Sequence, residues 1–203
     1  MRPILPSTLG LLLLTTSLLS AQPVPIIFDT DMGNDIDDAL ALAVLHALES
    51  RSECELQAVT ITKDNPYAPP FIQAINTFYG RPSIPLGIVQ KGKTPEPSNY
   101  LTGVVDAKDT TGSHLYHSKI KLGDPVPTAV ETLRRTLTNQ PDASVVIIQV
   151  GFSTNLAALL ESPADAISPL AGKELAARKV KLLSVMAGNF APSDHTKEYN
   201  VFI

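Results

Sequence analysis

Five aspartates lie within ten residues near the start of the chain, directly after the apolar segment Ile26–Phe28. They are Asp29, Asp31, Asp35, Asp37 and Asp38. Ionised carboxylates this close together repel one another, and burying them beside apolar segments is costly unless a cation neutralises them or some stay protonated. The cluster contains neither Cys nor His, so a hard, oxygen-seeking ion such as Ca²⁺ or Mg²⁺ fits it best.

Asp29 and Asp31 are the pair least easily explained as structural. Alternate residues of a strand face the same side, so both carboxylates should point the same way where the strand ends. Asp35, Asp37 and Asp38 have a second interpretation, because acidic side chains also favour the N-terminus of a helix.

Strand-like and helix-like apolar segments alternate along the chain, which predicts an α/β fold of Rossmann-like type. We expect an open, mostly parallel sheet with helices on both faces. The predicted strands are Val24–Phe28, Leu56–Thr62, Ile84–Val89, Ser144–Val150 and Val180–Met186. The predicted helices are Asp37–Glu49, Ala68–Tyr79, Thr128–Thr138 and Thr154–Leu160. The first helix is apolar on every face, so we expect it to be buried.

Polar residues follow four of the predicted strands. Ligands of open parallel sheets bind beyond the carboxyl ends of the strands, so we expect these residues to share one rim. Besides the aspartates, they are Lys63, Asp64, Asn65, Ser153, Thr154, Asn155, Asn189, Asp194, His195, Glu198 and Asn200. Ser153 and Thr154 have a second interpretation as a helix N-cap.

The N-terminus has the composition of a secretory signal peptide. Arg2 precedes the apolar stretch Leu9–Leu19, and small residues suited to cleavage end at Ala21. We therefore predict a signal peptide at residues 1–21, a secreted or periplasmic protein, and a single α/β domain at residues 22–203. After cleavage we expect no membrane partner. Cys54 is the only cysteine, so no intrachain disulfide can form.

The charge of the chain argues against nucleic acid as a partner. The 203 residues carry a formal net charge of -4, with no basic stretch to contact phosphates. A small-molecule ligand at the acidic rim is the better expectation, and the sequence leaves a homo-oligomer open.

These residues together resemble the inosine-uridine-preferring nucleoside hydrolases. The resemblance begins with Ile26-Ile27-Phe28-Asp29-Thr30-Asp31 and Asp37-Asp38-Ala39-Leu40 and continues through Ala58-Val59-Thr60 to Asn65. It ends with Thr154-Asn155-Leu156-Ala157, Val185-Met186-Ala187-Gly188 and Glu198-Tyr199-Asn200-Val201. It implies hydrolysis of the N-glycosidic bond of ribonucleosides, with one Ca²⁺ that grips the ribose hydroxyls and the attacking water.

The resemblance also implies a role for each site residue. Asp31 would be metal ligand and general base, Asp38 the main carboxylate ligand, and Thr154 would offer its backbone carbonyl to the ion. Asp29 would orient these groups without binding the metal itself. The sugar would be held by Asp37, Asn65, Glu198 and Asn200.

The chain departs from the family pattern in two places. Asn34 and Asp35 make the acidic loop two residues longer than the common family spacing. The sequence stops at Ile203, within an element that the family continues toward a His-Asp pair, whose Asp binds the metal and whose His protonates the leaving base in many members. We therefore expect a C-terminally incomplete domain that binds Ca²⁺ weakly and hydrolyses nucleosides slowly or not at all.

Two other functions stay open from the sequence. A Mg²⁺-dependent phosphatase of the haloacid dehalogenase type also places Asp-x-Asp after its first strand, and Asp29 would then be the nucleophile. That interpretation leaves Asp37 and Asp38 without a role. The other alternative is a non-catalytic protein that binds a nucleoside or sugar at the same metal rim.

Overall fold

A five-stranded, all-parallel sheet organises the computed structural model of the chain. The structure describes residues 22–92, 98, 100–188, 190 and 198–202. The predicted signal peptide, Asn189, Asp194 and His195 lie outside the described residues.

The strands are β1 (Val24–Thr30), β2 (Cys54–Ile61), β3 (Leu86–Ile88), β4 (Val145–Gln149) and β5 (Val180–Val185). The helices are α1 (Asp37–Ser50), α2 (Ala68–Phe78), α3 (Leu101–Val105), α4 (Ala129–Thr138), α5 (Thr154–Glu161), α6 (Gly172–Lys179) and α7 (Tyr199–Phe202). All nine predicted elements are present, with ends that shift by a few residues. The sequence did not predict α3, α6 and α7.

The strand order is β3-β2-β1-β4-β5, so β1 is the central strand. Its residues Ile26, Ile27 and Phe28 are buried, as a strand covered on both faces requires. Phe28 packs in a core with residues of α1 and α2, whereas Ile27 packs on the opposite face with residues of α4, α5 and α6. The predicted sheet with helices on both faces is confirmed.

Helix α1 is not buried all round, so that prediction is wrong. Leu42 and Leu45 are buried against the sheet, but the side chains of Leu40 and Val44 are 61% and 57% exposed. The helix covers only one face of the sheet, and its outer side stays open among the described residues.

No helix in the described part of the chain is long and apolar enough to cross a membrane.

A buried arginine ties α4 to the segment between α5 and α6. Arg134 is 1% exposed and makes a bidentate pair with Asp165, through Nε at 2.9 Å and Nη2 at 2.8 Å. It also donates to Ser162 Oγ and to the carbonyl oxygens of Ser168 and Leu170. The guanidinium holds the pKa of Asp165 down at about 2. Full hydrogen bonding is what makes this charge tolerable inside the fold.

Replacing Arg134 should therefore destabilise the fold strongly. We expect Arg134→Met to lower the free energy of unfolding by about 1 to 3 kcal/mol, because it leaves the buried carbonyl oxygen of Ser168 without this donor. Urea denaturation monitored by circular dichroism measures the change. The control is Arg135→Met, which removes an exposed i,i+4 pair with Glu131 and should cost only about 0.5 kcal/mol. Equal losses for the two variants would contradict this role of Arg134.

Candidate active site

The candidate site lies where the chain order of the sheet reverses, at the carboxyl end of β1. β2 follows on one side and β4 on the other, and such a switch point opens a crevice for ligands in parallel sheets. Gly151, just after β4, is packed against this end of β1. A Cβ on it would stand 2.4 Å from the backbone nitrogen of Asp31, so only glycine permits the approach.

Asp29 is the innermost carboxylate of the site. It belongs to β1 itself, is fully buried, and accepts hydrogen bonds from Thr60 Oγ1 at 2.6 Å and Asn155 Nδ2 at 2.8 Å. Its second oxygen, Oδ2, is buried with no hydrogen-bond partner among the described residues. Burial raises the pKa of Asp29 to about 7, although both hydrogen bonds act in the other direction. A group so enclosed can orient its neighbours, but it is badly placed to attack a substrate.

Asp31 and Asp38 form a buried carboxylate pair. Thr30, the residue before Asp31, holds Asp38 in place. Its Oγ1 donates to Asp38 and accepts from the Met32 backbone N–H at 3.0 Å. The two carboxyl groups are close enough to hydrogen-bond to each other, which requires a proton on one of them. Burial raises the pKa of both groups, that of Asp38 to about 8.

The Asp31–Asp38 pair has the donor chemistry of a hard-cation site. A divalent ion bound by both carboxylates would replace the shared proton and relieve their repulsion. Asp29 Oδ2, which has no hydrogen-bond partner among the described residues, is a further buried acceptor oxygen of the site. The described residues hold no cluster of three or more His, Cys, Asp or Glu side chains suited to a metal. A hard ion here would need neutral oxygens or water as its other ligands.

Two residues to which the sequence assigned no role also lie at this rim. Asn34 Nδ2 donates to Asp31 Oδ2, and Lys63 Nζ donates to Asn34 Oδ1. Lys63 is 1% exposed, and its charge acts to lower the pKa of Asp31. Lys63 directly follows a buried strand, and this position was the only sequence signal for it.

A cavity of about 440 Å³ opens beside the Asp31–Asp38 pair. Its lining residues are Asp31, Asn34, Asp35, Met186, Glu198, Tyr199 and Asn200. It therefore brings Asp31 together with Glu198 and Asn200, which follow it by more than 160 residues in the chain. Asn200 is fixed by Nδ2, which donates to the carbonyl oxygens of Val150 at 2.7 Å and Met186 at 3.3 Å.

Asp37, Asn65 and Thr154 do not line this cavity. Asp37 is exposed in the first turn of α1, beside Asp35. Asn65 is buried, and its Oδ1 accepts the Tyr67 N–H at 2.9 Å in the turn before α2. Thr154 begins α5 and is exposed. The sequence missed Thr60 and Asn155 as partners of Asp29, because nothing in their spacing reveals a hydrogen bond.

A second, larger groove of about 530 Å³ shares no lining residue with this cavity. It is lined chiefly by prolines, apolar side chains and amides, together with Lys119 and Arg135, and by no carboxylate of the described residues. The groove therefore lacks the acidic chemistry that distinguishes the rim of β1.

The raised pKa values predict a stability that falls with pH when no metal is bound. The folded-state pKa values, about 7 for Asp29 and about 8 for Asp38, exceed those of the unfolded chain, so the folded chain binds more protons between about pH 4 and pH 8. The stability contributed by Asp29 and Asp38 is thus greatest below this window. It is lost as the pH rises through the window, on the order of 1 kcal/mol per pH unit. Urea midpoints in chelator from pH 5 to pH 8.5 measure it.

Two variants, one at the site and one on the surface, test whether this pH dependence comes from the site. Asp38→Asn should raise the midpoint at pH 8 and flatten the pH dependence, whereas exposed Asp106→Asn should leave both unchanged. A midpoint that rises between pH 5 and pH 8 in the unmodified chain would contradict the assignment.

Comparison with known proteins places this geometry in context. A plant nucleoside hydrolase is 24% identical, with a TM-score of 0.55 over 82% of this chain and 48% of its own. An inosine-uridine preferring nucleoside hydrolase from Bacillus anthracis is 22% identical, with a TM-score of 0.56 over 86% of this chain and 54% of its own. The type III effector XopQ, solved with adenosine diphosphate ribose, is 18% identical, with a TM-score of 0.59 over 86% of this chain and 46% of its own.

These structures share the fold of the chain, which spans about half the length of each. The chain matches no curated protein sequence. The family model described as inosine-uridine preferring nucleoside hydrolase matches residues 26–203, nearly all of the sequence after the predicted signal peptide. The chain therefore belongs to the inosine-uridine preferring nucleoside hydrolase family.

Proposed function

We propose that this protein hydrolyses the N-glycosidic bond of ribonucleosides, giving ribose and a free base, with Ca²⁺ as cofactor. The observation that carries the proposal is the buried Asp31–Asp38 pair, which opens into a cavity shared with Glu198 and Asn200, in a chain of this family. Activity of solved relatives toward nucleosides, such as the purine-preferring ribonucleoside hydrolase from Gardnerella vaginalis, supports the substrate class.

Asp31 and Asp38 would hold the cation, together with the backbone carbonyl of Thr154. When bound, Ca²⁺ would supply an electrophilic anchor for the attacking water and for the ribose hydroxyls. Carboxylate oxygens suit Ca²⁺, which tolerates an irregular ligand set completed by water. If the predicted signal peptide exports the protein, the site would meet abundant calcium, and a Kd of about 10⁻⁴–10⁻³ M would be sufficient.

Asp31 would act as general base. It lines the cavity, and a carboxylate in reach of the attacking water can accept its proton as the bond to the anomeric carbon forms. Direct attack by water on the face opposite the base inverts the anomeric centre. Asp29, held by Thr60 and Asn155, would keep this end of β1 in position.

The acidic lining of the cavity would stabilise the sugar as the base departs. Loss of the base leaves an oxocarbenium-like ribose, and nearby carboxylates stabilise such positive charge electrostatically. The Glu198 carboxylate and the amide oxygen of Asn200 would accept hydrogen bonds from the ribose hydroxyls, since Asn200 Nδ2 already donates to two carbonyl oxygens. Asp37 and Asn65 would complete these contacts only after their side chains turn toward the cavity.

No histidine of the described residues lines the cavity. The phosphatase alternative is disfavoured by Asp29, which is fully buried behind two donors and could not reach a phosphoryl group.

The test is ribose release under single-turnover conditions, with protein in excess over inosine, uridine or adenosine. We expect Ca²⁺-dependent release of ribose that a chelator abolishes. Asp31→Asn should lower the rate constant at least about 100-fold, because the general base is lost. Exposed Asp106→Asn should match the unmodified chain.

Two results would contradict the proposal. Equal ribose release by Asp31→Asn would mean that the cavity does not carry the reaction. Saturable nucleoside binding without any ribose or base would instead support the non-catalytic alternative.

A further inference from the structure

One buried cation faces the carboxylates of the site, and the proposed reaction gives it no role. Lys63 is 1% exposed and lies two residues after the end of β2. Its charge acts to lower the pKa of Asp31. Burying an ammonium group is costly unless it is paired and hydrogen-bonded, so its position requires partners in the site. Asn34 Oδ1 is one of them.

The contacts of Asn34 leave no ambiguity about which way its amide group points. An ammonium can only donate hydrogen bonds and an ionised carboxylate can only accept them. Asn34 lies between the two, so its Oδ1 must face Lys63 and its Nδ2 must face Asp31. The charge of Lys63 polarises the amide and thereby strengthens the hydrogen bond to Asp31 Oδ2.

The strands and the loop hold the three residues in this order. The β1–β2 pairing runs to the last residue of β1, where Thr62 N, just after β2, donates to Thr30 O at 2.8 Å, so Asp31 and Lys63 leave the sheet from neighbouring strands. On the other side of Asn34, Tyr100 Oη donates to the carbonyl oxygen of Asp35 at 2.7 Å. The loop that contains Asn34 is thus held at both ends.

We propose that Lys63 and Asn34 are positioning residues for Asp31, acting as a linear chain from ammonium to amide to carboxylate. This gives a role to Asn34, one of the two residues that make the acidic loop longer than the common family spacing. With Oδ2 held by Asn34, the carboxylate of Asp31 keeps a fixed orientation and presents its other oxygen to the cation and the attacking water. The expected effect on the reaction rests on the proposed function, whereas the positioning of Asp31 does not.

The test is a double-mutant cycle with Lys63→Met and Asn34→Leu, both close in shape to the native residues. We expect each single variant to lower the single-turnover rate constant about 10-fold or more, with the half-saturating nucleoside concentration unchanged. Because the chain is linear, breaking either bond releases Asp31, so the double variant should be no slower than the slower single variant. Exposed Lys121→Met is the matched control and should have no effect.

Two further readouts test the same coupling without the reaction. The Ca²⁺ association constant from calorimetry and the urea midpoint in chelator should both show non-additive effects in the cycle. Additive effects in both, or single variants that behave as Lys121→Met does, would overturn the positioning role. If coupling persists while no form of the protein releases ribose, the positioning chain stands and the proposed function fails.

Discussion

The structure depends on the burial of like-charged carboxylates at the end of its central strand. Asp29, Asp31 and Asp38 are each less than 5% exposed. In water these groups would ionise near pH 4, whereas the fold holds some of them protonated near neutral pH. Such an arrangement costs stability in the absence of a cation, and native proteins keep it where function requires it.

The surrounding fold is what makes this arrangement possible. Donors from two neighbouring elements, Thr60 of β2 and Asn155 of α5, fix Asp29 from both sides. Gly151 lets the end of β4 approach the backbone of Asp31, and Thr30 carries the hydrogen bond that holds Asp38. The reversal of chain order beside β1 then leaves the crevice into which Asp31 faces.

Much of the fold could be predicted from the sequence, because strand and helix periodicities are local signals. The apolar strand before Asp29 and the alternation after it are sufficient for the parallel sheet. The α6 helix was missed because Gly172–Lys179 is polar and short, with only a weak apolar face. The burial of α1 was overestimated for a different reason: an all-apolar helix needs cover on every side, and the described elements cover only the side of α1 that carries Leu42 and Leu45.

The site was only partly accessible to sequence reasoning. Strand ends placed Asp31 and Asn200 at one rim, since parallel strands deliver their carboxyl ends to the same edge. Long-range hydrogen bonds, such as those of Asn155 to Asp29 and of Lys63 to Asn34, depend on side-chain direction, which spacing does not encode. For the same reason the sequence could not tell that Asn65 is used in the turn before α2.

A divalent cation that binds the carboxylate cluster should replace protons held there. Calorimetric titration with Ca²⁺ at pH 7, repeated in buffers of different ionisation enthalpy, measures the protons released per ion bound. We expect release of roughly one proton per Ca²⁺, and much less for Asp38→Asn, which has no such proton to lose. Binding of Ca²⁺ without proton release, or with the same release from Asp38→Asn, would contradict it.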